Sequence, residues 1–449
     1  MTPQSATPAQ RPGVAPTPPA VLPTPAPAAA AALAPMDGTR NAGRAGRQAS
    51  TQVGAGGVPS VGAGARPVRV AAVVPCFNRR HDLRLLLDDL AKVELRVDGV
   101  ALEMGVVVVD NCSTEPLWTL PTPAGLRVEH VRMRTNRGGS GGFNAGMAHA
   151  LAGQGKFFRD GHRPDFVWVI DSDARVTPGA LAALVRELRR DPGLVAAGSA
   201  LRDPVSGVTY ELGGKVDRAR GTYVPARRGE VDRRAVVEAD YLAACSALVR
   251  REAIERAGLM PDVFLNGDDV LWFIRLRQAT GGRVAAVARS VAFHPHWARK
   301  FSTGVRYYGA RNGLSPVLAL DLPATTRARR AAVEIFRACA QTLMGHPQLG
   351  AMHLDGLRDA LDANATGPAP PGRIAPSPVR PLALLEPELA RLKAQADERR
   401  AGKARLWAHP LATRLPFGTP TVRRALRAVG VRVPRRPRDA RRIEPMGAE

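Results

Sequence analysis

Four short strings in this 449-residue chain hold residue types that act on charged or phosphorylated molecules. Asp171-Ser-Asp173 sets two carboxylates two residues apart, directly after the apolar run Phe166–Ile170. Hard divalent cations such as Mn2+ or Mg2+ take oxygen ligands and bridge to phosphates, and two acidic groups at a strand end supply half of such a site. A solvated turn with a helix-capping Asp is the competing reading of the triplet. Asp268-Asp269 follows Phe264-Leu-Asn-Gly267 and opens a helical pattern. Adjacent carboxylates repel, which raises their pKa values and poises one as a general base; helix capping alone would account for one of the two. His294 and His296 end another apolar run, just before Trp297. A neutral imidazole there would complete a site begun by the aspartates, with a purely structural histidine as the plainer alternative. Asn136-Arg-Gly-Gly-Ser-Gly-Gly-Phe143 places four glycines in five positions, so that backbone can approach a ligand closely. It lacks the Lys-Ser/Thr pair of a P-loop, and Asn144 stands where the dinucleotide fingerprint needs its last glycine. A flexible turn is its bland reading.

The elements that must position these strings alternate in type. Val68–Pro75 is nearly continuous in apolar, β-branched residues, as a buried parallel strand requires. Leu83, Leu86, Leu87, Leu90 and Val93 then recur at helical spacing. Strands over Gly105–Asp110, Leu126–Met133, Phe166–Ile170 and Val284–Phe293 interleave with helices over Phe143–Leu151, Ala180–Arg190 and Glu252–Ala257. This predicts an α/β domain with a mainly parallel sheet. Ligands of such sheets lie beyond the carboxyl ends of the strands, where this chain carries Pro75-Cys-Phe-Asn-Arg79, Asp110-Asn-Cys-Ser113 and Asp171-Ser-Asp173. Residues 201–235 are polar and Gly/Arg-rich and read as a hairpin or loop, and 241–249 as a mixed segment. Three regions follow: a Pro/Ala/Gly-rich disordered tail over 1–66, the α/β domain over 67–321, and a helical region over 322–449. The last holds helices at Ala331–Met344 and Leu382–Ala401, a Pro-rich linker at 367–381 and an Arg/Pro-rich end.

Charge and cysteine usage exclude several classes. Lys and Arg total 64 against 40 Asp and Glu, net +24. Only +8 of this falls within 67–321, while the last 46 residues alone carry another +8. Nucleic-acid binding is disfavoured, because few aromatic residues stand among the basic runs to stack on bases. The basic end fits contact with an anionic membrane face; a codon-bias tail without a partner fits equally. The four cysteines, Cys76, Cys112, Cys245 and Cys339, show no CxxC spacing, which removes zinc ribbons and a disulfide scaffold and leaves them as structural residues. Neither an apolar run of membrane-spanning length nor a secretory leader is apparent. A cytoplasmic protein, peripheral on the inner face of the cell membrane, is expected.

Taken in order, Val74-Pro-Cys-Phe-Asn-Arg79, Val109-Asp-Asn111, the glycine string, Asp171-Ser-Asp173, Phe264-x4-Asp269, His294-x2-Trp297 and Tyr307-Tyr-x2-Arg-Asn312 resemble a family 2 glycosyltransferase of the GT-A fold. The likeness covers about residues 68–315 and is strongest to the galactofuranosyltransferase branch, with rhamnosyltransferases as near relatives. It implies that Pro75, Asn78, Arg79 and Asp110 bind the nucleotide of a UDP- or dTDP-linked sugar, with Asn136, Gly138 and Gly139 along the donor. It further implies that Asp171 and Asp173, with His294, hold Mn2+ or Mg2+ on the donor diphosphate, His294 being favoured over His296 by alignment through Trp297. Asp269 would accept the proton of a glycan or lipid-linked acceptor in an inverting displacement, Asp268 would position that acceptor, and Tyr241 and Trp297 would lie in the acceptor region. Cell-envelope polysaccharide synthesis is the implied setting. Ser172 and Tyr241-Leu-Ala-Ala-Cys245 depart from the branch, which often has a third Asp in the triplet and paired tryptophans in the acceptor region. The competing functions are a basic nucleic-acid-binding protein and an inactive sugar-nucleotide sensor; the intact carboxylates weigh against the second.

Overall fold

The computed structural model describes residues 66–153, 163–226, 228–229, 232, 234–295, 303–314 and 319–361. Thirteen strands are described: β1 Val68–Cys76, β2 Arg96–Val97, β3 Val100–Asp110, β4 Arg127–Arg132, β5 Phe166–Ile170, β6 Arg175–Val176, β7 Leu194–Arg202, β8 Thr209–Glu211, β9 Gly214–Asp217, β10 Thr222–Pro225, β11 Val236–Ala239, β12 Ser246–Arg250 and β13 Arg283–Phe293. The helices are α1 Arg80–Leu90, α2 Gly138–Leu151, α3 Ala180–Arg190, α4 Arg251–Ala257, α5 Asp268–Thr280, α6 Thr303–Asn312, α7 Ala324–Leu343 and α8 Pro347–Ala360.

Eleven strands form one sheet, in which β4, β3, β1 and β5 are parallel neighbours, as are β7 and β13. Between β5 and β7 runs β12, antiparallel to both. The expected mainly parallel α/β sheet is therefore present, with one reversed strand inside it. Side chains alternate across the sheet with period two. Val70, Ala72 and Val74 pack beneath α1 and α3 with Leu83, Leu86 and Leu184. Ala71 and Val73 face α2 and α5 with Phe143, Met147 and Phe273. Burying one such Val, Leu or Phe contributes roughly 1.5–3 kcal/mol, and two filled layers fix where the strand ends lie.

Helices α6, α7 and α8 form an added layer. The Tyr307 hydroxyl donates to Asp359 at 2.5 Å. The Glu334 carboxylate, buried on α7, meets Arg330, Arg337 and, across on α8, His353 Nδ1 at 2.7 Å. Burial pushes the Glu334 pKa up, but His353 and the two arginines outweigh it and hold it at about 2.

Several local expectations shift. α2 starts at Gly138, so the glycine string is the helix's first turn, not a turn preceding a helix at Phe143. Helix propensity argues against glycine there, but close packing on the sheet decides: a Cβ at Gly142 would lie 2.6 Å from Pro75 Cβ. Residues 201–235 supply the short strands β8, β9 and β10, and α7 begins at Ala324, seven residues before the expected start. α8, unread in the sequence, packs through Gly356 against the Tyr307 carbonyl and Ala310. The tail up to residue 65, the helix expected at Leu382–Ala401, the linker 367–381 and the basic end 404–449 lie outside the described residues. No helix among the described residues is long and apolar enough to cross a membrane.

Candidate active site

Strands β1, β3, β5, β7 and β13 end at one edge of the sheet, and reversed β12 begins there. On one side of this crevice stand β1, β3 and α2. Asp110 ends β3 at 1% exposure; its carboxylate accepts Arg132 Nη1 at 2.5 Å and the Ser113 N–H at 2.8 Å. Asn78, at φ 54°, donates its N–H to Ser113 Oγ, and its side-chain oxygen accepts from Thr114. Arg79, more than half exposed, pairs with Asp82 at 3.1 Å. Asn136 Oδ1 accepts the Gly138 N–H at 2.8 Å, and buried Asn111 clamps the helix start by donating to the Gly138 carbonyl and accepting from the Arg137 N–H. Gly138 is at φ 69°, and a Cβ there would overlap the Phe264 carbonyl oxygen. Strain and contact together reserve this position for glycine.

The sheet's pairing explains why residues far apart in sequence share the other side. Ser246 opposes Ile170 in the β12–β5 ladder, so Cys245 falls opposite Asp171, and its carbonyl accepts the Asp171 N–H at 3.3 Å. Phe293 pairs with Arg175 of β6, which brings His294 alongside the 171–174 turn. His294 is 4% exposed, its Nε2 lies 3.6 Å from Asp171 Oδ2 and 3.2 Å from Asp173 Oδ1, and its Nδ1 shares a 3.1 Å hydrogen bond with Tyr210. Ligand atoms of Asp171, His294 and Cys245 all lie within 4.8 Å of one another. Two atoms each about 2.1 Å from a shared ion stand about 3.0–3.5 Å apart at right-angle or tetrahedral geometry. The carboxylate–imidazole distances therefore fit a divalent cation. His296 and Trp297 lie outside the described residues.

Asp268 and Asp269 occupy the first turn of α5, where the helix dipole favours negative charge. The approach is unusual: Phe264, Asn266 and Gly267 all have positive φ. Helix α6 holds this approach loop from behind. Asn312 Nδ2 donates to the Val263 and Leu265 carbonyls at 3.0 and 2.6 Å, Arg311 donates to Val263, and Tyr308 stacks on Phe264 at 4.7 Å. The Tyr307-Tyr-x2-Arg-Asn312 string thus supports the turn that presents the carboxylates. Asp269 Oδ1 accepts its neighbour Val270 N–H at 2.8 Å, and Oδ2 faces the Ala244 N–H at 3.4 Å. Burial and then the charges of Asp269 and Asp171 raise the Asp268 pKa. Burial also raises that of Asp269, offset in part by the Val270 and Ala244 N–H groups. Gly139 faces Asp268: a Cβ there would sit 3.5 Å from Asp268 Oδ2.

Tyr241 is 4% exposed, packed edge-on against Tyr223 at 5.6 Å and tight against Gly214. It forms part of the wall behind Asp269 and is not an open surface. Beside it lies Glu211, 8% exposed, with Oε1 unpaired and its pKa pushed up to about 8 by burial and then by Asp269, against the pull of Arg228. Sequence reasoning missed Glu211, Tyr210 and Cys245, because the pairings that bring them here involve the short strand β8 and the reversed β12. Of the four cysteines read as structural, Cys245 has a distinct setting. It stands among potential ligands, whereas Cys76 is buried with its thiol pushed up to about 11 by desolvation.

A curled, mostly parallel sheet that ends in a carboxylate pair and an imidazole, with a glycine-led helix across the crevice, is the GT-A arrangement of glycosyltransferases. Residues 71–258 match the profile of the family described as Glycosyl transferase family 2. It is 27% identical over 217 residues to the galactofuranosyltransferase GlfT1 of Mycolicibacterium smegmatis, a match that spans 45% of this chain and 63% of that relative. Similar solved structures include the mannosyltransferase PcManGT from Pyrobaculum calidifontis in complex with GDP-Man and Mn2+ (18% identity, 81% of this chain, 86% of that one, TM-score 0.41). Another is S. aureus TarS 1-349 in complex with UDP-GlcNAc (15% identity, 65% and 81%, TM-score 0.41).

Proposed function

We propose that the protein is a metal-dependent, inverting glycosyltransferase. It moves a galactofuranose- or rhamnose-type sugar from a UDP- or dTDP-linked donor to a glycan or lipid-linked acceptor in cell-envelope polysaccharide synthesis. The observation that carries this reading is the placement of Asp171, Asp173 and His294 on one crevice with Asp268 and Asp269, whose pKa values are raised, opposite Gly139.

Pro75, Asn78, Arg79, Asn136, Gly138 and Gly139 line the donor, and Asp110 acts from below by fixing Arg132 and the 111–113 turn. Asp171, Asp173 and His294 hold Mn2+ or Mg2+. A bound divalent ion supplies positive charge to the donor diphosphate. Asp269, ionised, takes the proton of an acceptor hydroxyl while that oxygen bonds to the anomeric carbon, and the bond to the diphosphate breaks on the opposite face. One displacement inverts the centre, so no covalent enzyme intermediate forms. The Val270 and Ala244 N–H groups aim the Asp269 carboxylate and keep part of its charge at working pH. Asp268 positions the acceptor, with Trp297 at its side, while buried Tyr241 backs the wall behind Asp269. The basic end 404–449 docks the enzyme on the anionic inner face of the cell membrane, where lipid-linked acceptors reside; each Arg near such a surface contributes about 1 kcal/mol.

A donor screen with Mn2+ and Mg2+, read by nucleoside diphosphate release, tests the reaction. Turnover with a UDP- or dTDP-linked sugar is expected. Failure to bind UDP or dTDP, together with failure to consume any nucleotide sugar, would overturn the reading. Flotation of the full chain with anionic liposomes, lost on deletion of 404–449, tests the docking.

A further inference from the structure

We propose that the Cys245 sulfur is a ligand of the divalent cation and tilts the site toward thiophilic ions; the inference rests on reading Asp171, Asp173 and His294 as the cation site. Three observations converge. The β12–β5 ladder ends with Ser246 opposite Ile170, so Cys245 and Asp171 leave it side by side as the next residue of each strand. The Cys245 carbonyl bonds the Asp171 N–H, so the two residues move as one unit. The Asp171, His294 and Cys245 ligand atoms lie within 4.8 Å of one another. A metal–sulfur bond of about 2.3 Å and a metal–nitrogen bond of about 2.0–2.1 Å set their ligand atoms about 3.1–3.6 Å apart at right-angle or tetrahedral geometry and about 4.4 Å apart when opposite. Small side-chain rotations therefore bring all three onto one centre.

The rest of the shell is preorganised for this. Tyr210 engages His294 Nδ1 at 3.1 Å, and the His294 N–H is held by the Arg202 carbonyl at 3.0 Å, which turns Nε2 toward the carboxylates. An outer partner on the far ring nitrogen is the usual companion of a metal-bound imidazole. The other cysteines differ in setting. Cys76 is buried at the end of β1, Cys112 Sγ points to the Arg134 carbonyl at 3.3 Å on the donor side, and Cys339 is exposed on α7. On coordination the Cys245 S–H bond is lost, its proton passes to solvent and a sulfur–metal bond forms. Carboxylates alone suit Mg2+ and Mn2+, whereas a thiolate and an imidazole added to them favour Zn2+, Co2+ and Cd2+.

The test uses the full chain, with free metal ions as probes. Wild type titrated with Co2+ is expected to develop a near-ultraviolet thiolate-to-cobalt charge-transfer band that Cys245→Ser lacks. In competition dialysis, Cys245→Ser is expected to lose about tenfold or more in Cd2+ affinity while Mg2+ affinity stays within about threefold. Cys245→Asp, an oxygen ligand of similar reach, is expected to retain Mg2+ and lose the Cd2+ preference, and it carries the comparison should the serine variant misfold. Equal Cd2+-to-Mg2+ ratios in wild type and variants, or no cobalt band, would overturn the sulfur's role while leaving the cation site intact. A wild type that binds none of these ions would overturn both.

Discussion

On the side of the crevice built by β1, β3 and α2, polar groups are hydrogen-bonded within the protein: Asp110 to Arg132 and Ser113, Asn111 to Gly138 and Arg137, Asn78 to Ser113 and Thr114. On the side built by β5, β8, β12, β13 and α5, acidic groups crowd together instead. Asp268, Asp269 and Glu211 all have raised pKa values, and Glu211 Oε1 is buried without a partner. Satisfied groups hold a shape that a donor can dock against. Crowded carboxylates in a poorly solvated site hold proton affinity that catalysis can use, at a cost to stability.

Removing the proposed proton acceptor, Asp269, from the crowded side gives the largest expected effect. Asp269→Asn keeps the shape and one of the two backbone contacts but cannot take a proton, so turnover should fall by about 10²–10⁴-fold. UDP or dTDP affinity, set on the other side, should stay within about twofold. Calorimetric titration beside single-turnover kinetics separates the two, and loss of nucleotide affinity in step with turnover would show that the sides are not independent. Gly138→Ala attacks the join between them. Left-handed backbone and overlap with the Phe264 carbonyl should cost about 1–3 kcal/mol in denaturant unfolding. Unlike Asp269→Asn, it should weaken both nucleotide binding and turnover, because Gly138 belongs to α2 and touches the loop that leads to Asp268.

The satisfied side was the more legible in sequence, and for a physical reason. Its residues come from two apolar parallel strands and the strings directly after them, so local pattern nearly fixes their position. Asp171, Asp173, Asp268, Asp269 and His294 were legible as chemistry, since carboxylate pairs and a strand-end imidazole stand out by type. Their neighbours were not. Cys245 reaches Asp171 through an antiparallel register, Glu211 arrives on a three-residue strand, and Tyr210 acts through His294. Pairing partners of that kind leave no periodic trace. The glycine string carries no helical signal of its own, because its helix is stabilised by contact with Pro75 and Asn111 and not by its own propensity.

Asn312→Ala probes the support behind the crowded side. It removes two donations to loop carbonyls; Val263 keeps those of Arg311 and the Leu265 N–H, so the loss falls on the Leu265 carbonyl and costs about 1–3 kcal/mol. Turnover should drop about tenfold through misplacement of Asp268 and Asp269, with nucleotide affinity unchanged. An equal fall in nucleotide affinity would mean that α6 organises the whole crevice.

Glu211→Gln gives the smallest change and the sharpest sign. The folded-state pKa of Glu211, about 8, lies above the ordinary value of about 4.3 because burial, and then Asp269, penalise its charge. The folded state therefore binds the proton more tightly than the unfolded chain. Stability from this group is full below about pH 4.3 and is lost as pH rises through about 8. Gln stays neutral throughout, so melting curves of variant and wild type should coincide near pH 4 and diverge above it. By about pH 8 the variant should be the more stable of the two. A variant less stable than wild type at pH 8 would mean that Glu211 is held by a favourable charge partner, which would make this side satisfied like the other and erase the contrast between them.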